Sequence, residues 1–199
     1  VGVMIMDNIK FVDLFAGIGG LRLGFEQAFN EAGFETECVL TSEIKSHAVR
    51  ALKENFNKEH VKGDICKIKS SSFPDFDFLL AGFPCQAFSS AGNRLGFDDT
   101  RGTLFFEVER ILREKQPYGF LLENVEGLIS HDKQDKSDEM GRTLKIILQS
   151  LNNLNYNVSW KLLNSKYFGV PQSRNRVFIV GTKCGNVNLD NFPKNEVKL

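Results

Sequence analysis

The chain has 199 residues, of which 42% are hydrophobic and 25% charged, and this composition fits one globular α/β domain with a hydrophobic core. The chain has 25 basic residues (Lys and Arg) and 25 acidic residues (Asp and Glu), so its net charge is zero. A neutral chain has no overall positive field that would attract nucleic acid or an acidic membrane. Any polyanion must therefore be bound by a local patch.

Cysteine spacing and hydropathy set further limits. The four cysteines, Cys38, Cys66, Cys85 and Cys184, form no C-x-x-C pair and have no histidine at ligand spacing. This pattern argues against a zinc site and a disulfide framework, and it favours a reducing cytoplasm. No apolar run approaches the ~20 residues that span a bilayer, and residues 1–10 lack a basic region followed by an apolar one. We therefore expect a soluble, cytoplasmic protein with no metal and no membrane contact.

Hydrophobic runs alternate with helical patterns along the chain, which is typical of βαβ units. Strands are predicted over residues 11–15, 37–41, 61–65, 76–81, 118–122, 156–163 and 176–181, and helices over 21–32, 48–56, 104–112 and 142–154. The expected fold class is α/β, a doubly wound and mostly parallel sheet with an antiparallel C-terminal hairpin. The polar segment 130–141 is predicted to be a mobile surface loop.

A glycine-rich turn, residues 15–20, follows the first strand and opens the first helix. Its glycines allow backbone amides to approach a ligand at a helix N-terminus. The dinucleotide fingerprint G-x-G-x-x-G would need glycine at position 22, where this chain has Arg22, so a pyrophosphate-binding loop and an NAD-binding oxidoreductase are disfavoured. A tight turn without any ligand is the alternative.

Two acidic residues follow the next two predicted strands. Glu43 lies at the end of the second strand, where a carboxylate can accept the hydroxyls of a ribose, and Asp64 lies at the end of the third. Either acid alone is more often a helix N-cap or a solvated loop residue. Together, after a glycine turn without a full phosphate cradle, they fit S-adenosylmethionine better than NAD.

Residues that can carry chemistry follow the fourth and fifth strands and the last hairpin. Cys85 comes directly after Pro84, which fixes the direction in which the chain leaves the sheet. A lone cysteine beside a strand is more often a small buried hydrophobe. Glu123 ends the fifth strand, and in a parallel sheet it shares the carboxyl-end crevice with Cys85. Arg174 and Arg176 lie on one face if extended, and they suit a phosphate or a carbonyl oxygen unless the hairpin is simply solvated.

Five segments occur in one order: residues 11–20, residues 82–89, residues 101–105, residues 123–125 and the pattern Gln172-x-Arg174-x-Arg176. Over residues 10–181 this series resembles the ordered motifs of the DNA (cytosine-5)-methyltransferases. The resemblance implies a Rossmann-like, S-adenosylmethionine-dependent fold. It also implies methyl transfer to carbon 5 of a flipped cytosine in duplex DNA, as the modification enzyme of a bacterial restriction system.

The same resemblance implies a role for each motif residue. Cys85 would add to carbon 6 of the base, Glu123 would meet ring nitrogen 3 and the exocyclic amine, and Arg176, with Arg174 beside it, would bind the carbonyl oxygen. The cofactor residues would be Phe15, Ala16, Gly17, Ile18 and Gly19 on the methionine side, Glu43 at the ribose, Ile44 and Asp64 at the adenine, and Ile65, Pro84 and Leu104 around them. Residues 86–99 resemble the family's mobile catalytic loop, in which Gln86 and Ser89 would contact DNA.

The family's catalytic lobe normally continues into a target-recognition region and a C-terminal helix that completes the cofactor pocket. This chain stops at Leu199. The resemblance therefore implies a catalytic domain over residues 1–185, a polar tail over 186–199, and a fragment or one half of a split enzyme whose second polypeptide carries the recognition lobe. The tRNA-methylating branch of the family and a non-catalytic cofactor-binding subunit are the alternatives.

Overall fold

The computed structural model describes residues 8–56, 60–84, 103–135 and 137–192. The chain divides into two compact units, Val1–Gly82 with Arg110–Phe120 and Phe83–Glu109 with Leu121–Leu199. The first unit holds β1 (Asn8–Leu14), α1 (Gly20–Glu31), β2 (Glu35–Ser42), α2 (Ser46–Asn55), β3 (Val61–Lys62) and β4 (Phe78–Ala81). Helix α3 (Thr103–Lys115) and strand β5 (Gly119–Val125) contribute residues to both units. The second unit also holds α4 (Gly127–Ser130), α5 (Arg142–Asn153), β6 (Asn157–Asn164) and β7 (Asn175–Thr182).

Parallel strands in the order β3-β2-β1-β4 form the sheet of the first unit. Leu14 pairs with both Ser42 and Ala81, and Ser42 pairs with Lys62, so these strands end at one level. The central strand β1 is buried over Phe11, Val12 and Leu14, as expected for a parallel strand that is covered on both faces. The segments that follow the strands therefore leave the sheet along a common edge.

Aromatic packing joins α1 to this sheet. The Phe25 ring lies 4.9 Å from Phe11, 4.4 Å from Phe29 and 5.5 Å from Phe78, measured between ring centroids. Such tilted contacts stabilise beyond the burial of apolar area alone. Because Phe25 projects from the second turn of α1, its burial fixes the start of the helix above β1, where the glycine turn ends.

In the second unit the strand order is β5-β7-β6, and β6 and β7 form an antiparallel hairpin. The hairpin register runs from Asn157 opposite Thr182 to Asn164 opposite Asn175. Helix α5 buries Leu144, Ile147 and Leu151 on one face, in agreement with the predicted apolar periodicity. The predicted antiparallel hairpin is confirmed.

Strand β3 is shorter than the sequence predicts. It has only two residues, because the Asp64 side chain caps a 3-10 turn over Ile65–Lys67 that ends the strand. The described residues of the segment 130–141 form turns closed by backbone hydrogen bonds, with the Gly141 amide 2.7 Å from the Ile129 oxygen, and the predicted mobility of this loop stays a prediction. A polar side chain stabilises one of these turns, because Asp135 Oδ1 accepts from both the amide and the hydroxyl of Ser137.

Residues 185–192 run beside β6, held by side chains at alternate strand positions. Asn157 Nδ2 donates to the Gly185 oxygen and Ser159 Oγ to the Val187 oxygen, each at 3.0 Å, and Lys161 Nζ donates to the Leu189 oxygen. The first part of the predicted polar tail, up to residue 192, is therefore attached to the hairpin. None of the helices in the described ranges is long and apolar enough to cross a membrane.

Candidate active site

A strained turn connects β1 to α1. Phe15, Gly17 and Gly19 adopt positive φ values of 54°, 57° and 87°, and the helix begins at the next residue, Gly20. Ala16 N donates to the Ser42 oxygen at 3.1 Å, and Gly19 N donates to the Ala16 oxygen at 2.9 Å. The turn exposes Ile18, while the amides of Ala16, Gly17 and Gly19 donate to oxygens within the protein.

Gly19 is required where it stands, because a Cβ there would lie 2.3 Å from Phe56 Cε2. Arg22 supports the same contact from below, with its guanidinium carbon 4.0 Å from the centre of the Phe56 ring and its Nε 2.8 Å from Glu26 Oε1. Arg22 occupies the position of the third glycine in a dinucleotide fingerprint. It is buried, and it packs on Phe56 beside the turn. The sequence pattern gave no sign of this role for Phe56.

Glu43 is 92% covered, with 8% relative exposure, and its carboxylate organises the end of β2. Oε1 accepts from the amides of Ile44 and Lys45, and Oε2 accepts from the amide of Gly17, all at 2.8 Å. A carboxylate offers about four lone-pair sites, so among the described residues one site, on Oε2, is left for a ligand hydroxyl. Glu43, which the sequence predicts at the ribose, also holds the glycine turn, a role that its position after a strand does not indicate.

Asp64 and two exposed isoleucines lie near the same strand ends. Asp64 Oδ1 accepts from the Cys66 amide at 3.0 Å, which leaves Oδ2 as the oxygen available to a ligand amine within the described chain. Ile65 is buried, whereas Ile18 and Ile44 are 63% and 71% exposed. Carboxylate acceptors beside exposed aliphatic side chains fit an adenosine, because a purine ring covers apolar surface and its amine and ribose hydroxyls donate hydrogen bonds. The residues of the first unit therefore fit S-adenosylmethionine.

The second unit brings Glu123 and Arg176 into direct contact. Glu123 lies on β5 and Arg176 on β7, and Arg176 Nε is 2.8 Å from Glu123 Oε1. Arg176 Nη1 also donates to the Asn175 oxygen at 2.7 Å. Both side chains are about a quarter exposed, so the pair combines fixed geometry with access for a ligand.

The chain between β4 and the predicted nucleophile is anchored by Asn124, which is 2% exposed. Its Nδ2 donates to the Phe83 oxygen at 2.9 Å, and its Oδ1 accepts from the Val125 amide at 2.8 Å. The Phe83 ring packs 5.8 Å from the ring of Phe105 on α3, and Pro84 is exposed. Asn124 is a site residue that the sequence analysis did not single out, although it lies in the Glu-Asn-Val motif.

The remaining predicted site residues are placed as follows. Leu104 is half-buried on α3, and Arg174 is exposed immediately before β7. Cys85, Gln86, Ser89 and the rest of the loop 86–99 lie outside the described residues. Within the part of the chain that the structure describes, no group of three or more His, Cys, Asp or Glu side chains could hold a metal ion.

The family described as C-5 cytosine-specific DNA methylase matches residues 9–199. The type II methyltransferase M.NgoBV of Neisseria gonorrhoeae is 58% identical over 177 residues, which are 89% of this chain and 42% of that protein. The type II methyltransferase M.BanI of Aneurinibacillus aneurinilyticus is 61% identical over 174 residues, 87% of this chain and 38% of that protein. The chain thus spans about two fifths of the length of these relatives.

A likeness to solved structures supports the fold class. The Schizosaccharomyces pombe Dnmt2 methyltransferase superposes with a TM-score of 0.69 over 90% of this chain and 52% of that chain, at 24% identity. The predicted α/β methyltransferase fold is therefore confirmed.

Proposed function

The chain belongs to the C-5 cytosine-specific DNA methylase family, and we propose that it carries the cofactor-binding and catalytic residues for transfer of a methyl group from S-adenosylmethionine to carbon 5 of cytosine in DNA. The observation that carries this proposal is the contact of Arg176 Nε with Glu123 Oε1 at 2.8 Å. The relatives named type II methyltransferases support modification of DNA in a bacterial cytoplasm as its setting.

The Glu123–Arg176 pair suits the polar edge of a cytosine. A cytosine presents a carbonyl oxygen, a ring nitrogen and an exocyclic amine side by side on one edge. A guanidinium donates to the carbonyl oxygen, and a carboxyl group meets the adjacent ring nitrogen and amine. The two side chains hold each other in place through their ion pair, so neither has to be ordered when the base binds. Such a fixed pair can stabilise the negative charge that builds up on the ring as the thiolate adds.

In the proposed mechanism the Cys85 thiolate attacks carbon 6 of a base flipped out of the duplex, and Glu123 places a proton at ring nitrogen 3. Carbon 5 thereby becomes nucleophilic toward the methyl group that S-adenosylmethionine would supply, and the sulfur of the cofactor would keep the electron pair of the broken bond. Loss of the carbon 5 proton and expulsion of the thiolate restore the aromatic ring. Asn124 supports this chemistry by fixing the Phe83 carbonyl two residues before the thiol.

S-adenosylmethionine, when bound, supplies an electrophilic methyl group. The first unit would hold it through the turn 15–19, with Glu43 Oε2 at a ribose hydroxyl, Asp64 at the adenine amine and Ile44 against the adenine ring. Ile65, Pro84 and Leu104 stay predicted members of this site. Gly17 supports the assignment, because an added Cβ there would meet no atom of the described residues within 4 Å.

Duplex DNA is the proposed substrate, with Gln86, Ser89 and Arg174 as contacts. The chain spans 42% of M.NgoBV, so the DNA sequence that the whole protein recognises is a separate question. The second polypeptide that the sequence analysis invoked to carry a target-recognition region stays a prediction.

Covalent trapping tests the proposed function. Duplexes of random sequence that contain 5-fluorocytosine would be incubated with the chain and S-adenosylmethionine. Fluorine cannot leave carbon 5 as a proton does, so the adduct persists on the attacking residue. We expect peptide mass spectrometry to locate it on Cys85, and we expect transcripts of the same sequences, as RNA, to give none.

Two cysteine variants make the assignment specific. Cys85→Ala should abolish the adduct and leave S-adenosylmethionine binding nearly unchanged in titration calorimetry, whereas Cys66→Ala, at an exposed cysteine, should trap like the parent. An adduct on another residue, or none in a sample that binds the cofactor, would refute the proposal.

A further inference from the structure

The side chain of Asn164, the last residue of β6, makes four hydrogen bonds at the base of the hairpin. Its Nδ2 donates to Asn175 Oδ1 at 2.7 Å and to Ser173 Oγ at 3.1 Å. Its Oδ1 accepts from the amides of Lys166 at 3.1 Å and Arg174 at 3.2 Å. A side-chain amide has two donor hydrogens and two acceptor lone pairs, so Asn164 uses its full capacity to hold both ends of the segment 165–174.

Asn175 extends these bonds toward the Glu123–Arg176 pair. Its Nδ2 donates to Glu126 Oε2 at 2.9 Å, and Glu126 directly follows β5. Its backbone oxygen accepts from Arg176 Nη1 at 2.7 Å, while Arg176 Nε contacts Glu123. Asn164 is therefore connected to Arg176 through Asn175, whose side chain bonds to Asn164 and whose backbone oxygen bonds to Arg176.

We propose that Asn164 is a positioning residue that fixes Arg174 and Arg176 for the base, an inference that rests on the proposed function. Asn164 lies opposite Asn175 in the hairpin register, and ten residues separate them. Without the Asn164 amide, the backbone of Arg174 loses its acceptor and Asn175 loses the donor that orients its side chain. Guanidinium donors must then reach the base carbonyl from a hairpin end that is no longer fixed.

A purely structural role for Asn164 predicts a different result from a positioning role, and Asn157 provides the matched control. Asn157 is the first residue of β6, and its side chain donates one hydrogen bond, to the Gly185 oxygen at 3.0 Å. Asn157→Ala removes an amide from the same strand at the end remote from Arg174 and Arg176. A role in hairpin stability alone would lower the activity of each variant only in proportion to its loss of folded protein, which urea denaturation measures.

The first measurement is the rate at which the Cys85 adduct forms with 5-fluorocytosine DNA at saturating DNA and S-adenosylmethionine. Asn164→Ala should lower this rate by up to about 100-fold, the loss that a displacement of a catalytic group by about 1 Å can cause. Its dissociation constant for S-adenosylmethionine should stay within about twofold of the parent, because Asn164 belongs to the unit that does not hold the glycine turn. Asn157→Ala should leave both quantities unchanged.

A conservative variant separates the two halves of the Asn164 amide. Asn164→Asp keeps an acceptor for the Arg174 amide, but the carboxylate cannot donate to Asn175 or Ser173. We expect an adduct-formation rate between those of the parent and Asn164→Ala. A rate equal to that of Asn164→Ala would place the whole effect in the donor bonds, and a rate equal to the parent would contradict the role given to Asn175.

The second measurement is hydrogen exchange of the Arg176 Nε–H group by NMR, which needs neither DNA nor turnover. Asn164→Ala should speed this exchange roughly tenfold, since the bond to Glu123 would open more often, and Asn157→Ala should not. Unchanged protection in Asn164→Ala overturns the inference, and so does lost protection with an unchanged adduct rate. If the parent forms no adduct, the proposed function fails, and the exchange measurement still decides whether Asn164 positions Arg176.

Discussion

Asn124 Nδ2 donates to the main-chain oxygen of Phe83 at 2.9 Å, and both residues are buried. This bond ties the end of β5 to the residue that precedes Pro84 and Cys85. A buried carbonyl that lost its donor would be left without water to replace it. The direction in which the chain approaches the predicted nucleophile therefore depends on one side-chain amide.

Asn124→Leu should lower the free energy of unfolding by about 1–3 kcal/mol, because it leaves the Phe83 oxygen and the Val125 amide without a side-chain partner. Urea denaturation measures the change. The control Asn153→Ala replaces an exposed asparagine of α5 and should change stability by less than about 0.5 kcal/mol. Equal free energies of unfolding for the two variants would show that the Asn124 hydrogen bonds do not contribute to stability.

Gly19→Ala should destabilise the protein and weaken S-adenosylmethionine binding. The new methyl group would lie 2.3 Å from Phe56 Cε2, and the φ of 87° is strained for any residue with a Cβ. We expect a loss of roughly 1–3 kcal/mol in thermal or urea unfolding. Gly24→Ala, in the exposed interior of α1, places its Cβ more than 4 Å from every atom of the described residues that it could contact, and should instead stabilise by roughly 0.5–1 kcal/mol. Two changes of the same sign would contradict this distinction.

Glu43→Gln should weaken S-adenosylmethionine binding by roughly 1–3 kcal/mol in titration calorimetry, since it removes charge from an acceptor of three amides and of the proposed ribose hydroxyl. The amide nitrogen also cannot accept from Gly17 or from Ile44 and Lys45, so the glycine turn should loosen. Glu35→Gln, at the exposed start of β2, should bind the cofactor like the parent. Parent-like affinity in Glu43→Gln would remove Glu43 from the site.

Elements with a strong periodic signal could be predicted from the sequence. Strand β4 is a continuous apolar run, β1 is rich in apolar residues, and α5 has apolar residues at helical spacing, so the hydrophobic pattern identifies all three elements. The arrangement of Glu43 after β2 followed from the same logic, because parallel strands end at a common edge. These predictions needed only local pattern and strand order.

Side-chain hydrogen bonds to distant backbone carry no such signal. Asn124 with Phe83, and Asn164 with Asn175 and Arg174, are bonds between residues far apart in sequence or across a hairpin, and asparagine in a sequence equally predicts a turn. The mobility expected for the segment 130–141 stays a prediction, but the bonds from Ser137 to the Asp135 side chain were not predicted. Polarity alone does not distinguish a side chain that bonds to a neighbouring turn from one that bonds to water.

The alkaline stability of the protein should depend on Tyr156. Burial raises the pKa of this phenol above its ordinary value of 10.0. An unfolded tyrosine loses its proton near pH 10, while the folded one keeps it. The contribution of Tyr156 to the free energy of unfolding is therefore fully present below pH 10 and is lost as the pH rises further. Urea unfolding between pH 9 and pH 11 should show a decline that is shallower in Tyr156→Phe.

Lys183 is the neighbour that could obscure this result. Its Nζ lies 3.8 Å from the centre of the Tyr156 ring and donates to the Leu154 oxygen, and desolvation lowers its pKa. The contribution of Lys183 to the pH dependence of stability has the opposite sign. Above the folded pKa, an unfolded lysine still binds a proton that the folded one has lost, so this contribution makes stability rise with pH. Comparison of Tyr156→Phe with the parent isolates the phenol. Identical alkaline slopes would exclude its titration as the cause.

Glu123→Gln should slow adduct formation at Cys85 roughly 100-fold or more, because the amide keeps the shape of the side chain and removes the proton that the mechanism places on the base. DNA binding should change little, since phosphate contacts dominate that affinity. Stability should fall by less than about 1 kcal/mol, as expected for a pair with Arg176 that is about a quarter exposed. Glu139→Gln, an exposed acid of the same unit, serves as the control for loss of one charge. Parent-like rates in Glu123→Gln, measured in single-turnover trapping, would assign the proton to another group.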